Sequence, residues 1–190
     1  MSTFQDDARD LMEDNTSMIH GVGVSAEDVY TAAAEGTQLV WSPRTNIALY
    51  GQTAPVATYE FYGVPIALGT DWPISGSMNM LRELSCAARL NETRYNDLFS
   101  DRQLWRMATL NGAKALGVSD RIGSIQTDYI ADIALFDGGD ATNPYRAVIE
   151  GDSKDIQLVT RGGKALYGNQ GVVSALTTED AGEDAPPCET

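Results

Sequence analysis

The chain has 190 residues, 43% of them hydrophobic, and its 27 acidic and 13 basic residues give a formal net charge of −14 at pH 7. That length suits one domain, or one domain with a small second one, and it supplies enough apolar side chains for a core. The acidic balance argues against nucleic-acid binding, which needs clustered Lys and Arg, and against docking on an anionic membrane surface. We therefore expect neither nucleic acid nor membrane as a partner.

Residues 1–15 are acidic and lack the apolar core of a signal peptide. No apolar run approaches the ~20 residues that a membrane span requires. The two cysteines, Cys86 and Cys188, lie far apart and have no metal-ligand spacing, so they leave the redox compartment open. We expect no membrane span, and the cytoplasm is the default compartment.

Apolar periodicity, capping residues and the positions of Gly and Pro predict alternating strands and helices in the first half of the chain. In chain order they are helix 4–14, a strand that begins at 16 and ends on His20 with a glycine-containing turn to 24, helix 25–37, strand 38–43, loop 44–53, helix 54–63, strand 64–71 and helix 79–91. The last of these strands is a continuous apolar run of the kind that is buried on both faces. Three strand–helix units in succession indicate an α/β fold with a parallel sheet.

The second half begins with a predicted helix at 99–118 and then changes character. Short β-rich runs between Gly and Asp turns predict strands at 132–137, 145–150 and 156–168. The acidic, Pro-containing tail 175–190 is predicted to be disordered. We expect a first domain at 1–118, a small β-rich segment at 119–172 and a tail at 173–190.

Polar residues follow all three strands of the first half, and the carboxyl ends of parallel strands share one edge of a sheet. His20 suits either a metal ligand or acid–base group, or a structural histidine beside a turn. Asp71 suits either a metal ligand and base, or a helix cap. The apolar run before Asp71 predicts a buried carboxylate, which needs a partner. Asn46 is either a ligand contact or a turn residue.

Four stretches carry a family resemblance: HGVGVSAEDV (20–29), GTQLVWSPRTNIALYGQTAPV (36–56), YGVPIALGTDWPISGSMNMLREL (62–84) and RIGSIQTDYIADIALFD (121–137). Together they resemble the C-terminal part of the amidohydrolase superfamily, over residues 17–168. The similar branch is that of cyclic-amide hydrolases and amino-heterocycle deaminases, including imidazolonepropionase-like and chlorotriazine-hydrolase-like enzymes.

The resemblance implies the last three strand–helix units of a TIM (β/α)8 barrel, followed by part of a small β-sandwich domain. A closed barrel needs eight units and typically ~250 residues. We therefore expect this chain to be the C-terminal part of a longer protein.

By the same resemblance, His20 and Asp71 are the catalytic residues and contribute to a divalent metal site that holds zinc or iron. The family's main metal ligands are an H-x-H pair and a further histidine on earlier strands, and this chain has one histidine in total. Substrate contacts are expected from the loop residues Asn46, Arg44, Trp72 and Ser75. Trp72 stands where many deaminases of the branch have glycine, so its ring reshapes the pocket.

The resulting hypothesis is the C-terminal part of a metal-dependent hydrolase that cleaves carbon–nitrogen bonds other than peptide bonds in a small-molecule substrate. Its activity is expected to require the N-terminal barrel half. The alternative is a non-catalytic remnant or interaction domain. Because three unclosed strands leave apolar edges and faces, both readings imply a partner chain, the missing half or self-association.

Overall fold

The structure is a computed structural model that describes residues 11–141 and 143–179. In chain order its elements are β1 (Ser17–Ile19), α1 (Ala26–Ala34), β2 (Gln38–Trp41), α2 (Pro43–Tyr50), α3 (Val56–Tyr62), β3 (Ile66–Leu68), α4 (Met80–Arg94), α5 (Asp101–Met107), α6 (Leu110–Ala115), β4 (Ala134–Phe136), α7 (Pro144–Glu150), a 3-10 turn (Ser153–Asp155), β5 (Ile156–Arg161), β6 (Lys164–Gly168) and α8 (Gln170–Glu179). Within this described part, no helix is long and apolar enough to cross a membrane.

The first sheet has the order β1-β2-β3, and both of its strand pairs are parallel. Ser17 is paired with Gln38, and Leu39 with Ile66. Helix α1 connects the first two strands, and α2 and α3 connect the next two. The prediction of an α/β fold with a parallel sheet is confirmed. Since all three strands run the same way, their carboxyl ends meet at one edge of the sheet.

The core lies between this sheet and its helices. Leu39 and Trp41 of β2 are fully buried, as are Val29 of α1, Tyr59 of α3 and Leu84 of α4. Each large apolar side chain buried in this way contributes about 1.5 to 3 kcal/mol relative to an exposed one. The short strands are therefore stabilised by the apolar side chains of the helices around the sheet.

The second sheet is antiparallel, with the order β4-β5-β6. Gly162 and Gly163, both with positive φ, form the tight turn between β5 and β6, as two-residue hairpin turns require. The predicted strand at 132–137 is thus present in shortened form as β4, and this turn divides the predicted run 156–168 into β5 and β6.

Two segments differ from the sequence prediction for one shared reason. Residues 44–53, predicted as loop, contain most of α2, and residues 145–150, predicted as a strand, lie in α7. Each helix has a proline, Pro43 or Pro144, in its first turn, where the missing N–H costs nothing and the fixed φ favours the helix. At α7 the side chain of Asn143 also accepts from the backbone N–H groups of Tyr145 and Arg146.

Three further boundaries differ. The predicted helix 99–118 is divided into α5 and α6, because the backbone at Thr109 (φ −125°, ψ −98°) is not helical. Residues 175–179 of the predicted disordered tail lie in α8, and 180–190 lie outside the described residues. Of the predicted helix 4–14, residues 11–14 are not helical, and 1–10 lie outside the described part.

Helix α7 packs against α4 and α5. Ile149 is buried in the common core, and Arg146 donates to the carboxylates of Asp101 and Glu92. Both apolar and charged contacts therefore hold α7 against α4 and α5.

Ile149→Ala is expected to lower the free energy of unfolding by about 2 to 5 kcal/mol, because it removes buried methyl groups and leaves a cavity. The matched control is Ile125→Ala, whose side chain is 86% exposed and whose loss should change stability by less than about 0.5 kcal/mol. Urea unfolding of both variants measures the difference. Equal effects of the two substitutions would contradict the docking of α7 on the core.

Candidate active site

The carboxyl edge of the first sheet brings together one residue from each strand–helix unit. His20 directly follows β1, Asn46 lies in α2 just after β2, and Asp71 follows β3. The side-chain amide of Asn46 contacts His20 Nδ1 at 3.1 Å, and His20 Nε2 lies 3.9 Å from Asp71 Oδ2. The strand-end reasoning from the sequence therefore identified three residues that converge in the fold.

The side chains of His20 and Asp71 are 27% and 28% exposed. Their 3.9 Å separation is too long for a direct hydrogen bond. A single oxygen or nitrogen atom at ordinary hydrogen-bond distance from both fits between them. The pair thus forms an open polar pocket in which one small group can contact an imidazole and a carboxylate together.

Both residues have left-handed backbone, with φ of 69° at His20 and 54° at Asp71. Non-glycine residues adopt this region at a cost, and such residues are concentrated at functional sites. Gly21, next to His20, also has positive φ, and a Cβ there would collide with the Tyr59 hydroxyl. The chain thus turns sharply where each side chain must face the pocket.

Asn46 is fully buried and sits in a chain of hydrogen bonds that runs inward from His20. Thr53 Oγ1 donates to Asn46 Oδ1 at 3.3 Å, and Trp41 Nε1 donates to Thr53 Oγ1 at 2.6 Å. From the outside, the ring of Tyr50 contacts the His20 imidazole edge-to-face, with 6.0 Å between ring centroids. The imidazole is therefore held on two sides.

The expectation of a buried carboxylate at Asp71 is wrong, since Asp71 faces solvent; a buried carboxylate near the pocket is instead supplied by Glu83 of α4. Glu83 accepts from the Arg44 backbone N–H at 3.1 Å through Oε1 and from the Ser77 hydroxyl through Oε2. Burial raises the pKa of the Glu83 carboxyl, and its hydrogen bonds from Ser77 and Arg44 oppose that shift in part.

The loop 69–79 after β3 is fastened by this carboxylate. Arg44 Nε donates to Ser77 Oγ at 2.8 Å, so its side chain faces the Ser77–Glu83 pair. Ser75 contacts Thr45 through their hydroxyls at 3.3 Å. Of the expected substrate contacts, Arg44 and Ser75 thus bind the loop to α2, and Asn46 reaches the pocket only through His20.

Trp72, in contrast, is 60% exposed beside Asp71. Two further exposed apolar side chains, Ile74 and Met78, lie in the same loop. Aromatic and apolar side chains next to a polar pocket supply the flat contact surface that a small ring requires. Of the four expected substrate contacts, Trp72 is therefore the one whose side chain is exposed beside the pocket.

A complete metal site is not present in the described residues, which contain no group of three or more His, Cys, Asp or Glu side chains placed to hold an ion. The Asp71 carboxylate suits one ligand position, whereas catalytic zinc typically has three protein ligands. His20 Nδ1 already faces an amide N–H, whereas metal-bound histidines usually donate from the second ring nitrogen. The donor set of this part of the chain does not by itself fit a catalytic metal.

Glu83 and Thr53 are the site residues that the sequence analysis missed. Glu83 had a detectable signal, because it follows Met80 by three residues and precedes Ala87 by four, on the apolar side of α4. A charged residue there is buried and needs partners. Thr53 gave no such signal, since only the folded chain brings it between Trp41 and Asn46.

Glu83→Gln is expected to make stability less dependent on pH. Because the folded pKa is raised, the contribution of Glu83 is complete below the ordinary value of 4.5 and is lost as pH rises through the raised value. The free energy of unfolding of the variant should therefore increase relative to that of the wild type as pH rises from about 4.5 to neutral. Urea unfolding across this range measures the gain, and the exposed Glu35→Gln is the control. A variant that loses stability relative to the wild type as pH rises would contradict the raised pKa of Glu83.

Asp71→Gly is expected to be more stable than Asp71→Ala by about 1 kcal/mol, because only glycine adopts φ of 54° without strain. At the exposed helical Ser85, the order should reverse, with alanine more stable than glycine by about 1 kcal/mol. Thermal unfolding of the four variants checks the sign at each position. If alanine is also the better residue at position 71, the left-handed backbone there is refuted.

Comparison with known proteins gives the family. The model of the amidohydrolase family matches residues 2–166. The 5-methylthioadenosine/S-adenosylhomocysteine deaminase of Teredinibacter turnerae is 35% identical over 133 residues, which are 68% of this chain and 30% of the relative. The chain therefore spans about a third of the length of such relatives.

Two solved structures are similar in fold. A zinc-bound adenosine deaminase from Xanthomonas campestris superposes with a TM-score of 0.77 at 24% identity, over 91% of this chain and 43% of that one. The zinc complex of an atrazine chlorohydrolase from Arthrobacter aurescens gives a TM-score of 0.73 at 24% identity, over 91% and 42%. With a family model that matches most of its length and a fold that agrees, this chain belongs to the amidohydrolase family.

Proposed function

We propose that this chain is the C-terminal part of a metal-dependent hydrolase that cleaves a non-peptide carbon–nitrogen bond in a small heterocycle, with deamination as the favoured reaction. The observation that carries the proposal is the approach of His20 Nε2 and Asp71 Oδ2 to 3.9 Å at the carboxyl edge of a parallel sheet. Ligands in parallel α/β folds bind at this edge. Membership of the amidohydrolase family supports the reaction class.

In this proposal β1, β2 and β3 are the last three strands of a (β/α)8 barrel, and β4, β5 and β6 belong to a small β-sandwich. The consecutive parallel order of the first sheet supports the barrel assignment. So does the coverage of 43% of a structural neighbour by 91% of this chain. The remaining strands belong to a part of the whole protein that precedes these residues.

The metal of the whole enzyme, zinc or iron, is held mainly by residues outside this chain, and Asp71 is the ligand that this chain contributes. Zinc in two structural neighbours supports the choice of a divalent ion. The other proposed ligand, His20, fits less well, since its Nδ1 is already paired with an amide N–H.

The proposed roles follow from the geometry of the pair. A water molecule adds its oxygen to the ring carbon that carries the amino group, and the Asp71 carboxylate takes one proton from that water. The proton then passes to the amine nitrogen, and ammonia leaves as the carbon–nitrogen bond breaks. His20 stabilises the charge that develops on the substituent of the attacked carbon. Because the pair is open, one reacting atom can contact both side chains.

The substrate is proposed to be a flat, amino-substituted heterocycle. Trp72 stands exposed beside Asp71, and an aromatic ring offers a stacking surface to such a substrate. The relative from Teredinibacter turnerae is named for the deamination of 5-methylthioadenosine and S-adenosylhomocysteine. We propose the same class of purine nucleoside, with Trp72 narrowing the pocket.

One observation favours a partner for this chain. A cleft of 980 Å³ lies against the first sheet, between α6 and residues 122–136, and its lining is mostly apolar. Three of its large side chains, Ile19, Leu116 and Ile125, are more than half exposed. An apolar face of this kind is covered in a stable protein. We propose that the preceding barrel half covers it. Self-association of two copies through this face is the second candidate, and it is also what a non-catalytic interaction domain would use.

The test is a chimera in which residues 17–168 replace the matching C-terminal segment of the Teredinibacter turnerae deaminase. Ammonia release from 5-methylthioadenosine is the measured activity. The chimera is expected to be active, and Asp71→Asn is expected to lower kcat by about 10²- to 10⁴-fold, the range that general base catalysis supplies.

The matched control for this chimera is Asp97→Asn. Asp97 is also an exposed aspartate with left-handed backbone, φ of 56°, but it lies beyond α4, away from the pocket. It should leave kcat within a factor of about two. A folded chimera without activity, or equal losses from the two substitutions, would contradict the proposed function.

A further inference from the structure

The hydrogen bonds behind His20 determine which of its ring nitrogens carries the proton. They begin at Trp41 Nε1, an indole N–H that can only donate, so the Thr53 oxygen must accept from it. Thr53 then has one hydroxyl proton left to give. The atom in reach is Asn46 Oδ1 at 3.3 Å.

The direction of this first bond orients the Asn46 amide. With Oδ1 facing Thr53, the NH₂ group faces His20 Nδ1 at 3.1 Å, so the Trp41 indole N–H, the Thr53 hydroxyl and the Asn46 amide each donate to an acceptor. Turning the amide over would place two N–H donors on the Thr53 oxygen and leave the hydroxyl proton without this partner. Because Asn46 is fully buried, water does not replace a lost partner there.

We infer that the chain Trp41–Thr53–Asn46 fixes neutral His20 in the tautomer that is protonated on Nε2. An amide N–H needs a lone pair as its acceptor, so Nδ1 is unprotonated and the single ring proton lies on Nε2. That nitrogen is the one 3.9 Å from Asp71 Oδ2, on the open side of the pocket. Thr53 and Asn46 are thus positioning residues that act through His20.

The inference deepens the proposed function, on which its catalytic meaning rests. His20 then presents a hydrogen-bond donor to an acceptor atom of the substrate, while Asp71 presents an acceptor to the attacking water. The two sides of the pocket are complementary in polarity. A lone pair on Nε2, which metal binding requires, is absent in this tautomer.

The experiment is a nitrogen-15 spectrum of the His20 ring in the labelled 190-residue chain, in alkaline buffer in which an imidazole is neutral. His20 is the one histidine of the sequence, so its two ring nitrogens give the histidine signals without overlap. The expected spectrum has an unprotonated Nδ1 and a protonated Nε2. A protonated Nδ1, or the averaged signals of a free imidazole, would overturn the inference.

Two variants test the direction of the hydrogen bonds. Asn46→Asp leaves only acceptors beside Nδ1, so the proton is expected to move to Nδ1 and the two signals to exchange character. Thr53→Val removes the hydroxyl that orients the amide at nearly unchanged shape, so part of the population is expected to shift to the Nδ1–H tautomer. If one variant fails to fold, the other gives the same readout.

The control is Thr93→Val. The Thr93 hydroxyl donates to the Arg89 carbonyl within α4 and takes no part in the chain Trp41–Thr53–Asn46. This variant should leave the ring signals as in the wild type. A folded Asn46→Asp chain with the proton still on Nε2 would overturn the inference. So would a Thr53→Val chain with unchanged ring signals. Neither outcome depends on ammonia release, so the inference and the proposed function fail separately.

Discussion

The buried Glu83 carboxylate is the constraint on which the geometry of the pocket depends. It accepts from the first turn of α2 through the Arg44 N–H and from the loop after β3 through Ser77, while its own backbone belongs to α4. Three segments that are distant in sequence are thereby fixed to one another. Since Asn46 lies in α2 and Asp71 in the loop, this one side chain links the segments that carry two of the pocket residues. Removing one of these partners would leave a buried polar atom without a hydrogen bond, which costs more than the bond itself contributes.

One side of the pocket is held by buried hydrogen bonds, and the other contains strained backbone. Behind His20, the polar atoms of Asn46 and Trp41 are buried and hydrogen-bonded, so the imidazole has little freedom to rotate. In front, the backbone at His20 and Asp71 is left-handed and is held there by packing and by loop hydrogen bonds. Both features fix dipoles and charges before a substrate arrives. Preorganisation of this kind is the main means by which enzymes stabilise a developing charge.

The sequence was sufficient for the features that depend on local pattern. Alternating strands and helices predicted the parallel sheet, and strand ends predicted the meeting of His20 and Asp71. It was insufficient where one residue type has two structural uses: Pro43, predicted to end the second strand, begins a helix, and Pro144 begins a helix where a strand was predicted. It was also insufficient for Thr53, because a hydroxyl between an indole and an amide is a property of the assembled fold. Glu83 lay between these cases, since its burial could be deduced from helical spacing although its partners could not.

The strand order of the first sheet has a consequence for how the chain assembles. β1, β2 and β3 are neighbours in both sequence and space, so each pairing closes only a short loop through its own connecting helices. Such pairings lose less chain entropy on loop closure than pairings between strands that are distant in sequence. In the proposed whole enzyme this region would emerge late from the ribosome. In that enzyme it could condense as one unit onto whatever has already folded, and the apolar cleft is the surface that such a docking step would cover.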